Sequence, residues 1–98
     1  MDIKKEFTNW LSRKPKKNGV LMSDSTVYKY VRAIDTISKD MMKENIISGD
    51  IYNITDKPQL NKTIALIKKN NNFNFKNDTG NNMYSVALGH YQDFINNK

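Results

Sequence analysis

The chain has 98 residues, no cysteine and a formal net charge of +6 at pH 7, which predicts one small, marginally stable domain without disulfides or thiolate–zinc sites, in a reducing, cytoplasmic compartment. No stretch approaches the roughly 20 apolar residues that span a bilayer, and residues 1–6 are too polar for the apolar core of a signal peptide. A pI of about 9.6 suits a polyanion, most often nucleic acid, although many Lys-rich small proteins are merely soluble.

The spacing of Ile3, Phe7, Trp10 and Leu11 predicts a first helix over about 2–12. Asp2 suits the positive end of its dipole, and Trp10 shares the apolar face as a core anchor beside Phe7. Pro15 and Gly19 end the helix. Four of the five residues from 13 to 17 are basic, the sharpest charge cluster in the chain. Arg13, Lys14, Lys16 and Lys17 form either a solvated loop or a grip on phosphates. Val20, Leu21 and Met22 then lead into Ser23, and one of them can serve as a hydrophobic staple.

The central element is a long helix over 23–43. Val27, Tyr30, Val31, Ile34, Ile37 and Met41 recur at spacings of three and four, which places them on one face. Lys29, Arg32, Thr36, Lys39 and Lys43 fall nearly opposite, at roughly 100° per residue. Ser23 is a natural N-cap, while Asp24 and Lys43 complement the dipole at the two ends.

Asn45, Ser48, Gly49 and Asp50 are turn residues, and Ile46, Ile47, Ile51, Tyr52 and Ile54 make either a short helical turn or an extended piece, which periodicity over so few residues does not decide. Asp56, with Pro58 and Gln59, signals a helix start. Leu60, Ile64 and Ile67 are the stripe of a third helix over about 57–70, broadened by Ala65 and Leu66. Residues 70–82 read as a polar loop, in which Phe73 and Phe75 either plug the core or offer a stacking surface beside Lys76. Tyr84, Ala87, Leu88, Tyr91, Phe94 and Ile95 mark a last helix over about 81–96, with Asn81 or Asn82 as cap. Gly89 within it permits close approach of another helix.

A catalytic constellation is not legible. His90 is the single histidine, and no cluster has metal-ligand spacing. Asp40 and Glu44 share a face, but lysines surround them and ordinary i, i+4 charge pairing explains them. Neither a phosphate-cradling Gly-rich loop nor a nucleophile motif is present. The expectation is a non-enzyme without metal or cofactor.

Two stretches carry a resemblance. Phe7-Thr8-Asn9-Trp10-Leu11, followed by Ser23-Asp24-Ser25-Thr26-Val27-Tyr28-Lys29-Tyr30-Val31-Arg32-Ala33-Ile34, resembles the opening of the core-binding (SAM-like) helical domain of tyrosine recombinases. Residues 80–95, Gly-Asn-Asn-Met-Tyr-Ser-Val-Ala-Leu-Gly-His-Tyr-Gln-Asp-Phe-Ile, look like the closing helix of the related N-terminal module of restriction-type nucleases and mobile-element proteins. The recombinase catalytic Arg/Lys/His/Tyr set is missing, so the resemblance implies a DNA-gripping module rather than a strand-exchange enzyme. It implies that Arg13, Lys14, Lys16, Lys17, Ser25, Thr26, Tyr28, Lys29 and Arg32 face DNA. Residues 46–54 and the Phe73/Phe75 segment depart from its pattern.

The expectation is therefore an all-α domain over 1–98: a compact bundle of four main helices with a short extra turn near 46–54. Its expected partner is double-stranded DNA, not a membrane. It would act alone or as the N-terminal module joined to a catalytic domain. The competing expectation is a helical protein-interaction or dimerisation module that uses Phe73, Phe75 and the last helix.

Overall fold

The computed structural model describes residues 2–15 and 19–97. The described residues form five α-helices and one 3-10 turn, with no β-strand: α1 (Ile3–Arg13), α2 (Asp24–Lys43), the turn Ile51–Asn53, α3 (Lys57–Lys68), α4 (Asn71–Thr79) and α5 (Met83–Asn96). The all-α class is as expected, with one helix more than the four predicted from periodicity.

Short polar side chains start four of these helices. Asp2 accepts from the amide of Lys5, Ser23 from Thr26, Asp56 from Gln59 and Asn70 from Phe73. Each bond satisfies an amide that has no partner inside its helix. The stripe of α2 is the spine of the core: Val27, Val31, Ile34, Ile37 and Met41 are buried, and α1 and α5 pack against it. Phe7 of α1 lies edge-on to Tyr91 of α5, their ring centroids 5.3 Å apart. Trp10, half-buried, stacks beside Phe7 and against Phe94, so it anchors the core. Met22, next to the Ser23 cap, packs on the core while Val20 and Leu21 stay exposed.

The segment before α3 resolves into a buried 3-10 turn. Ser38, enclosed in the C-terminal half of α2, accepts from the Ile51 amide at 3.0 Å and donates to Asp50 at 3.2 Å. Tyr52 donates its hydroxyl to the Val31 carbonyl, and Tyr91 donates to that of Ile54. Burial pushes both phenols well above their ordinary range, so both stay neutral donors.

Several expectations are corrected. The supposed loop over 70–82 contains α4. Its Phe73 is buried in the core and its Phe75 is exposed. The helix is held from outside itself: Asn77 accepts from the Ser85 amide at 2.9 Å, and Asn70 caps its start. Asn81 and Asn82 then turn the chain into α5 at positive φ, a conformation asparagine tolerates. Asn82 precedes α5 without a side-chain cap bond. Ala65 and Leu66 do not broaden the α3 stripe; both are exposed, because they fall outside the arc covered by α4 and α5. At Gly89 an added Cβ would meet nothing within 4 Å, so no neighbouring helix requires that glycine.

Candidate nucleic-acid interface

The outward side of α2 is organised by charge. At about 100° per residue, Ser25, Tyr28, Lys29, Arg32, Thr36, Lys39 and Lys43 fall within a sector about 100° wide, and the stripe is about 27 Å long. All seven are exposed except Thr36, which is half-buried. Asp35 borders the sector on one side and Asp40 on the other.

Both border carboxylates are already engaged. Lys4 of α1 reaches Asp35 at 2.6 Å, and Lys76 of α4 reaches Asp40 at 2.6 Å. Glu44, at the end of α2, accepts from the side-chain amides of Asn70 at 3.3 Å and Asn72 at 2.9 Å. The sequence suggested i, i+4 pairing along α2 for Asp40 and Glu44; the structure draws their partners from α4 and the cap between α3 and α4. Among the described residues, Lys29, Arg32, Lys39 and Lys43 form no ion pair. Among the described residues the stripe therefore carries four uncompensated cations between neutralised borders.

The individual site residues take different positions. Ser25 and Thr26 lie in the first turn of α2, where their hydroxyls meet the Ser23 hydroxyl at 3.2 and 2.9 Å. Tyr28 is 61% exposed, and the Arg32 guanidinium lies 5.6 Å from its ring centroid. These two, with Lys29, Thr36 and Tyr84, line a groove of about 250 Å³ where α2 meets the start of α5. A ring and a guanidinium held together at a groove edge can stack on a base or bind a phosphate. Arg13 is exposed at the end of α1. Lys14 is committed to the fold: its ammonium lies 4.8 Å from the Trp10 ring centroid and 3.3 Å from the Asp93 carboxylate. Pro15 and Leu21 pair in an isolated bridge at the neck of the connection to α2. Lys16 and Lys17 lie outside the described residues.

Lys39 and Lys43, outside the expected DNA-facing set, share this exposed stripe with Lys29 and Arg32. Their register with Lys29 and Arg32 was visible in the sequence; the neutralisation of Asp35 and Asp40 was not, because Lys4 and Lys76 are 31 and 36 residues away from them.

His90 lies apart from the stripe, half-buried between α5 and α2, its ring 4.9 Å from that of Tyr30. Burial, aided by the nearby Lys14 charge, lowers its pKa below the ordinary 6.5, against a smaller opposing pull from Asp93. Among the described residues no group of three or more His, Cys, Asp or Glu could hold a metal ion, and no helix is long and apolar enough to cross a membrane.

Neither the family models, the curated proteins nor the solved structures compared with this chain match it.

Proposed function

We propose that this domain binds double-stranded DNA through the outer face of α2 and the basic connection that precedes it. The observation that carries the reading is the row Lys29, Arg32, Lys39 and Lys43, which has no carboxylate partner among the described residues, between acids that α1 and α4 have neutralised. Four cations along one rigid helix present charge at fixed intervals, as a phosphate backbone requires. Ser25, Thr26, Tyr28 and Lys29, at the start of the helix, are the groups placed to approach a groove. In this role the domain is the gripping part of a nuclease, a recombinase-like protein or another mobile-element protein, with no chemistry of its own.

The test is fluorescence anisotropy of a labelled random duplex at low and at moderate salt. Binding at low salt that weakens steeply at moderate salt supports the reading, since each phosphate contact releases condensed counterions. Absent or salt-independent binding refutes it.

A further inference from the structure

A groove of about 640 Å³ lies between the C-terminal half of α2 and α4 and shares only Lys43 with the basic stripe of α2. Ile37, Met41, Phe73 and Tyr84 give it an apolar lining. Phe75 also lines it and is 73% exposed, the most exposed large hydrophobic side chain among the described residues. Phe73 already fills the core below, so α4 needs no second phenylalanine for its own packing.

We propose that this groove is the face on which two copies of the chain meet about a two-fold axis, each Phe75 seated in the groove of the other copy. A two-fold interface uses one patch on both copies, so the patch must complement itself. Here a protruding aromatic and an apolar recess adjoin on a single surface.

Charge points to the same occupant. The whole chain carries +6, so two copies repel each other over most approaches. The groove also draws on Lys43, Lys76, Asp40 and Glu44, two cations and two carboxylates with no net charge. A strongly acidic or basic partner gains nothing from such a rim. A second copy meets no repulsion there. The rim is also ordered in advance, by the Asp40–Lys76 pair at 2.6 Å and by the Asn70 and Asn72 bonds to Glu44, which lowers the cost of association. The pairing does not require DNA binding, and the two surfaces share only Lys43. If both hold, one particle carries two basic stripes and gains avidity for a longer duplex.

The test is sedimentation equilibrium of the full chain from low micromolar to near-millimolar concentration, for the wild type, Phe75→Asp, Thr79→Arg and Leu66→Asp. Thr79 is exposed and lines the groove; Leu66 is exposed on α3, away from it. The expected result is a wild-type mass that rises toward twice the monomer. Phe75→Asp and Thr79→Arg should weaken association by roughly tenfold or more with unchanged helical circular dichroism, and Leu66→Asp should associate like the wild type. A wild type that stays monomeric throughout overturns the proposal, whatever else the groove can hold. So does association that survives both groove variants unchanged.

Discussion

Replacing Lys29, Lys39 and Lys43 together by alanine removes three of the four unpaired cations on α2. All three are exposed, so the fold should survive with changes within about 0.5 kcal/mol per site. On B-DNA each phosphate contact contributes about 0.9 to the slope of log affinity against log salt, so four contacts give about −3.6 and the one remaining contact about −0.9. Raising salt from about 50 to about 200 mM should then cost the wild type roughly 150-fold in affinity and the variant only about 3.5-fold. Cations in the preceding connection add equally to both proteins, so the difference in slope, about 2.7, is the quantity to read. The assay is duplex anisotropy at several salt concentrations. Replacing Lys57, Lys62 and Lys68, exposed on α3, changes the net charge equally and should leave the slope alone. If the α2 variant keeps the wild-type slope, or the α3 variant loses it, binding follows net charge and not this helix.

Three further predictions concern the fold. Gly89→Ala should stabilise the protein by about 1 kcal/mol, because α5 gains helix propensity and the new Cβ meets open space; a lower midpoint in a thermal melt would contradict the packing described. Ser38→Ala should cost about 1–3 kcal/mol in urea unfolding, because the buried Ile51 amide loses its acceptor, and an unchanged midpoint would mean that bond contributes nothing. His90 has a folded pKa below its unfolded 6.5, so the folded state binds fewer protons there. Stability is undiminished well above pH 6.5 and declines as pH falls through 6.5 toward the folded value. His90→Phe should flatten that part of a pH series of melting temperatures, and identical slopes in both proteins would refute the assignment.

The sequence displayed some elements openly and concealed others, for physical reasons. The long helix was legible because one side of it is consistently apolar, a serine caps it and neither glycine nor proline interrupts it. α3 was legible at its start, where Asp56 and Pro58 act locally. α4 was not. Its nine residues, Asn71–Thr79, include four asparagines, and Phe73 and Phe75 lie two apart, a spacing that places them on different sides of a helix. Asparagine in isolation favours turns; this helix persists because Asn70 caps it, Phe73 is buried in the core and Asn77 bonds to the Ser85 amide. The same limit applies to the candidate interface. Periodicity gave the order of cations on α2, whereas their freedom depends on Lys4 and Lys76, which only the tertiary fold brings to Asp35 and Asp40. Ala65 and Leu66 err the other way: apolar in the sequence, they lie on a side of α3 that nothing among the described residues covers.

The most direct test of the central claim is to map backbone amide shifts of the labelled protein as a random duplex is added at low salt. The account predicts salt-reversible shifts concentrated along α2 from Ser25 to Lys43 and in the connection between α1 and α2, with α3 unaffected. Shifts centred on α3, or on the groove beside Phe75 with α2's outer face silent, would contradict it.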